Sequence, residues 1–152
     1  MAYQHIPVTG GCLCGAVRFE STQPPLEGYY CHCRLCQKAY GGLFSATVRV
    51  QASGFRFTKG EPRYYGATKF AKRAFCGDCG SPMPFFYEGS SNVWIKIGSL
   101  DHPEDWPMTQ GAGWGQSAHW HTDTKISWET MSDGLRKPTE TLPEHVRRLA
   151  QF

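Results

Sequence analysis

Cys76-Gly77-Asp78-Cys79-Gly80, taken together with Cys12-Leu13-Cys14, decides what kind of fold this chain can have. The first is a CxxC turn with glycines where the backbone must fold tightly around a metal. The second places two thiols at i and i+2, which on a strand point to one face. Between them lies Cys31-His32-Cys33-Arg34-Leu35-Cys36, a CxC and a CxxC fused within six residues. All seven cysteines fall in these three segments, and none follows position 79. An odd number suits a closed disulfide framework poorly. It does divide into four and three, the ligand counts of a closed tetrahedral zinc site and an open one.

Spacing leaves two partitions open. In one, Cys12, Cys14, Cys76 and Cys79 form the closed site, and Cys31, Cys33 and Cys36 form the open one. In the other, Cys33 and Cys36 pair with Cys76 and Cys79 as a zinc ribbon, leaving Cys12, Cys14 and Cys31 unexplained. The first employs every thiol in two compact sets.

Composition explains why a metal would be needed. Among 152 residues, Leu, Ile and Val number 18, whereas Phe, Trp and Tyr number 21. The net charge of +3 is too small, and the aromatic content too high, for a disordered chain. The core must then be aromatic and reinforced. No apolar run approaches the roughly 18 residues of a membrane span. The start, MAYQHIPVTG, lacks the layout of a secretory signal, so a cytoplasmic protein with reduced thiols is expected. Lys/Arg blocks of the kind that bind nucleic acid are absent. Zinc-bound thiolates would add −2 and −1 at the two sites and bring the basic excess to near zero.

Strand signals recur at short spacing: 16–20, 44–50, 55–58, 72–75, 85–87 and 93–97. The segment 44–50 alternates apolar and polar residues as a half-buried strand does. Gly and Pro, 27 in all, punctuate these runs as turns of a mainly β domain. Residues 103–118 read as an irregular loop whose two tryptophans either cover the core or form a flap over substrate. Thr141 and Glu144 have capping-box spacing, and Leu142, Val146, Leu149 and Ala150 share a face. The expected division is a zinc-binding β domain over 1–138, with a helix over 139–152 that packs on it or on a partner subunit of a homo-oligomer.

These motifs together resemble the glutathione-dependent formaldehyde-activating enzyme family, whose domain is also found in centromere protein V. The matching segments are 11–17, CHCRLCQK at 31–38, 73–81 and Gly98-Ser99-Leu100-Asp101-His102-Pro103, followed by His119, Trp128 and Asp133-Gly134-Leu135. The resemblance implies a zinc-stapled, Mss-four-like β fold with two zinc ions per chain. Cys12, Cys14, Cys76 and Cys79 match the structural zinc ligands, and Cys31, Cys33 and Cys36 the catalytic ones. The implied activity is that of a carbon–sulfur lyase adding a thiol such as glutathione to a small aldehyde such as formaldehyde. The alternative is a zinc-stapled binding module without catalysis.

His119 matches a family position and is a candidate catalytic residue, though a structural histidine fits equally. His32 is expected to be an exposed ring or one beside the ligands. Arg34, Lys38, Arg73 and Lys96 are candidate partners for glutathione carboxylates or counter-charges to the thiolates. The long 104–118 segment, Arg34, Gln37 and the ending at 134–138 depart from the family pattern where a pocket could be shaped.

Overall fold

The computed structural model describes residues 3, 6–68, 70–138 and 144. Two sheets form its frame. The smaller orders β1 (Val8–Gly11), β2 (Arg18–Ser21) and β5 (Phe55–Lys59). The larger runs β10-β3-β4-β9-β8-β7-β6 from one edge to the other. Its members are β3 (Glu27–Cys31), β4 (Ser45–Gln51), β6 (Arg63–Thr68), β7 (Ala71–Phe75), β8 (Pro82–Tyr87), β9 (Asn92–Lys96) and β10 (Gln116–Trp120). Neighbouring strands are antiparallel except β10, which lies parallel to β3. The fold is mainly β, as expected, and six of the ten strands overlap the runs marked by the sequence. The expected helix over 139–152 lies outside the described residues apart from Glu144.

The alternation in β4 sorts the two faces of the large sheet. Val48 and Val50 sit opposite Ile95 and Val93 of β9, and all four are buried. They meet Val8, Val17 and Phe19 from the small-sheet side, with Met83 between, in a single core. Burial of this order contributes about 1.5–3 kcal/mol per large apolar side chain. Trp106 and Trp114 join the same core, 5.6 Å apart and edge to face. The tryptophans of 103–118 therefore cover the core, and the last part of that segment is strand β10 rather than loop.

The other face carries Ser45, Thr47 and Arg49. Ser45 lies opposite Cys31, while Thr47 lies between Tyr29 and Lys96. This face is not left to solvent. The helix α1 (Arg34–Tyr40) lies beside it, with Tyr40 against the cysteine cluster. Cys33 is its N-cap, accepting from the Cys36 amide, and Gly41 closes it in the left-handed conformation at φ 67°. That terminator is the usual one, since glycine pays no Cβ penalty there.

Candidate metal centres and a neighbouring groove

Two turns build the four-cysteine site. After β1 the chain turns at Cys12, where the Gly15 amide donates to the Cys12 carbonyl at 3.1 Å. Between β7 and β8 the Gly80 amide donates to the Cys76 carbonyl at 2.9 Å. Gly15 and Gly80 both have φ of 75°, and an added Cβ would meet nothing within 4 Å at either. Backbone handedness, not space, therefore requires glycine there. The Cys12-Leu13-Cys14 segment is thus a turn and not the strand that its i, i+2 spacing suggested.

The sulfurs converge. Cys12 Sγ lies 3.6 Å from Cys14 Sγ, which lies 3.8 Å from Cys76 Sγ. All four ligand atoms fall within 4.8 Å of one another. A tetrahedral ion with bonds of about 2.3 Å separates its sulfurs by roughly 3.8 Å, so the donor set fits zinc. Ser81 joins the two turns: its hydroxyl accepts from the Leu13 amide at 3.0 Å and lies 3.1 Å from Cys79 Sγ. That hydroxyl, with the Ser81 and Cys14 amides, draws the Cys79 thiol down to about 6. The Val17 amide donates to Cys12 Sγ at 3.2 Å. Such bonds offset thiolate charge and aim the ligands. One turn joins β1 to β2 of the small sheet and the other joins β7 to β8 of the large sheet, so an ion held here would clamp the sheets together.

The second cluster is Cys31, Cys33 and Cys36, whose ligand atoms also lie within 4.8 Å of one another. Cys31 ends β3, Cys33 caps α1, and Cys36 lies in the helix's first turn. All three are buried. The cluster's three thiols can hold one ion and leave its fourth position open. Cys36 is held well below the ordinary thiol value by the Cys31 and Cys33 thiols, against its burial, with Lys96 and Arg73 adding positive charge.

Lys96 and Arg73 are buried on this same face. The Lys96 ammonium lies 3.9 Å from the centre of the Tyr40 ring and 4.4 Å from that of Phe85. Burial brings it down to about 7 and Arg73 pushes the same way, against the pull of Cys36. Arg73 donates to the Tyr40 hydroxyl at 2.6 Å. Among the described residues no carboxylate forms an ion pair with either.

His32 is fully buried, which overturns the exposed reading. His119 Nε2 lies 2.8 Å from Asp133, and His119 Nδ1 lies 2.8 Å from His32 Nε2. The Asp133 carboxylate accepts the His119 Nε2 proton, so His119 Nδ1 accepts from His32 Nε2–H. Nδ1 of His32 is then an unprotonated acceptor, buried without a hydrogen-bond partner. Asp133, His119 and His32 thus form a buried hydrogen-bonded line that spacing did not reveal, and His119 touches neither the cysteine cluster nor the groove lining. Gln37 is also structural here, as its amide donates to the His32 carbonyl at 2.8 Å. Arg34 bonds Gln37 rather than reaching into the groove.

Protonating His32 would bury an unpaired charge, and burial first, then the neighbouring His119, holds its pKa down to about 4. The unfolded chain takes up this proton near the ordinary value of about 6.5. Stability is therefore full above about 6.5 and falls as pH drops towards 4, by on the order of 3 kcal/mol. Urea denaturation of zinc-loaded wild type and His32→Gln at pH 7 and pH 5 checks this. Wild type should lose more stability than the variant; equal losses would show that this ring is not the source.

A cavity of 530 Å³ opens beside the four-cysteine site, with Cys12 in its lining; Cys31, Cys33 and Cys36 do not line it. Leu13 and Ser81 of the two turns line it, as do Tyr40, Ser45 and Lys96; Tyr40 packs against the three-cysteine cluster and Ser45 lies opposite Cys31. Arg18 and Asp101, paired with each other, stand at its rim.

The sequence profile of the glutathione-dependent formaldehyde-activating enzyme family matches residues 7–116. The chain belongs to this family. The match contains both cysteine clusters and the groove residues, and it ends before His119 and Asp133. Over 86 residues the chain is 28% identical to an uncharacterized lyase of Schizosaccharomyces pombe, covering 57% of this chain and 62% of that protein. It therefore spans under two thirds of that relative. A Rhodobacter sphaeroides protein of known crystal structure is 26% identical with a TM-score of 0.49, over 61% of this chain and 87% of that one. Among the described residues, no helix is long and apolar enough to cross a membrane.

Proposed function

We propose that this protein is a zinc-dependent carbon–sulfur lyase that joins a small thiol, glutathione or a relative of it, to a small aldehyde and reverses the same reaction. The observation that carries this reading is the buried three-thiol cluster, with Ser45, opposite Cys31, and Tyr40, packed on the cluster, lining a 530 Å³ groove. The relative named as a lyase agrees with it. Cys12, Cys14, Cys76 and Cys79 would hold one zinc for structure, and Cys31, Cys33 and Cys36 a second for chemistry. A zinc ion there would supply a lowered pKa to a substrate sulfur that completes its shell.

The chain's own residues do the rest. Cys31, Cys33 and Cys36 fix the site on a strand end and a helix start, both rigid. Lys96 and Arg73 offset the thiolate charge from behind. Arg18 and Asp101, paired with each other, frame the entrance to the groove. The sheet face and α1 keep water from the reacting sulfur. In the reaction the sulfur–carbon bond forms, the carbonyl π bond breaks, and the proton lost from the thiol ends on oxygen. No oxidant is consumed. The reduced thiols favour the cytoplasm as the place of action.

Native mass spectrometry of the purified protein, titrated with glutathione, tests the reading. Two zinc ions, the second labile and able to carry a glutathione adduct, are expected. One tight zinc with three free thiols and no adduct would overturn it and leave a zinc-stapled binding module.

A further inference from the structure

We propose that Lys96, Ser45 and Thr47 form an oxyanion seat at the inner end of the groove, where a substrate oxygen carrying negative charge is held beside the three cysteines. The proposal rests on the lyase reading and names the group that recognises the substrate's oxygen.

The register brings the three together. Ser45 and Thr47 are two residues apart on β4 and share a face, with Ser45 opposite Cys31 and Thr47 opposite Lys96. The exposures are 9% for Lys96, 3% for Ser45 and 0% for Thr47, so this is an interior polar cluster and not a solvated face. Lys96 Nζ donates to Ser45 Oγ, and to Thr47 Oγ1 at 2.9 Å. The two hydroxyl oxygens lie 3.1 Å apart and share one proton.

Counting protons shows what is left over. An ammonium and two hydroxyls offer five donors, and three are used within the cluster. One N–H and one O–H remain. Ser45 and Lys96 line the groove and Thr47 does not, so a Thr47 hydroxyl donating to Ser45 leaves the Ser45 O–H free to face the groove. The cluster is thus rich in donors, positively charged when Lys96 is protonated, and without a carboxylate ion pair among the described residues. In a site shielded from water such a group binds an anion far better than it would on a surface.

Two substrate oxygens have the required chemistry. One is a carboxylate of the thiol. The other is the alkoxide that forms when the sulfur adds to the carbonyl carbon: the π electron pair moves to oxygen, which then takes a proton.

The test uses the full chain loaded with zinc. Titration with 13C-labelled formate, followed by the formate carbon resonance, should give millimolar binding that weakens at least tenfold in Lys96→Gln and in Ser45→Ala while zinc content stays unchanged. The second variant removes one oxygen only and decides the matter should the first fail to fold. Formate binding equal in wild type and both variants, or absent from wild type, overturns the seat. Glutathione and cysteamine, which lacks a carboxylate, then identify the oxygen. Weakened glutathione binding with unchanged cysteamine binding assigns the carboxylate. Unchanged binding of both, with kcat lower by about 10²–10³-fold, assigns the alkoxide. Wild type that binds formate but no thiol would sink the lyase reading and leave the seat standing.

Discussion

Cys76→Ser is expected to leave the chain unfolded. The reason lies in where the four-cysteine site sits. Cys12 and Cys14 lie in the turn between two strands of the small sheet and Cys76 and Cys79 in the turn between two strands of the large one, so losing one ligand would release the clamp between the sheets. A structural zinc bound by thiolates contributes apparent values of about 10–16 kcal/mol. That matches or exceeds the net stability of about 5–15 kcal/mol that a domain ordinarily has. With 18 Leu, Ile and Val residues in 152, the core has little aliphatic burial to set against the loss. Near-UV circular dichroism and amide proton dispersion of Cys76→Ser should both collapse. Leu13→Ala is the matching control: Leu13 stands between two ligands yet is 90% exposed, and it should fold normally. A Cys76→Ser protein that keeps its native spectrum would show that burial alone holds the sheets.

Part of this architecture is legible in the sequence and part is not. The β class was legible because strand alternation is local, whereas thiol spacing left two cysteine partitions open, and the family resemblance matched the one that the fold assembles. Segment 44–50 shows the limit. Its alternation correctly separates Ala46, Val48 and Val50 from Ser45, Thr47 and Arg49, but alternation alone suggests that the polar set meets water. Only Arg49 does, partly exposed and paired with Glu27, whereas Ser45 and Thr47 are buried where Tyr40 and Lys96 lie against them. Helix α1 itself escaped notice, being seven residues long and capped by a cysteine rather than by Ser, Thr, Asp or Asn. Gly41 was the available signal for its end. Strand β3 reads Glu-Gly-Tyr-Tyr-Cys, with no alternation to mark it. Strand β10 is ordered through parallel pairing with β3, some ninety residues earlier. The line from Asp133 through His119 to His32 depends on that pairing, so only the folded chain discloses it.

Cys33→Ser should do the opposite of Cys76→Ser: end catalysis and leave the domain standing. The three-cysteine cluster is contained in one short segment, from the end of β3 to the first turn of α1, so it clamps nothing distant. Cys33 also has a backbone task as the N-cap of α1, and serine is among the best residues for that position. The helix therefore survives. A serine hydroxyl is a far weaker zinc ligand than a thiolate, and two thiolates alone hold the ion loosely. Zinc content should fall from two per chain to one, and turnover by 10³-fold or more, with the melting temperature changed by only a few degrees. Metal analysis, a thiol–aldehyde adduct assay and a thermal melt on one preparation read all three. Should Cys33→Ser unfold as completely as Cys76→Ser, the second cluster is part of the scaffold, and the search for function moves from the open zinc position to protein partners.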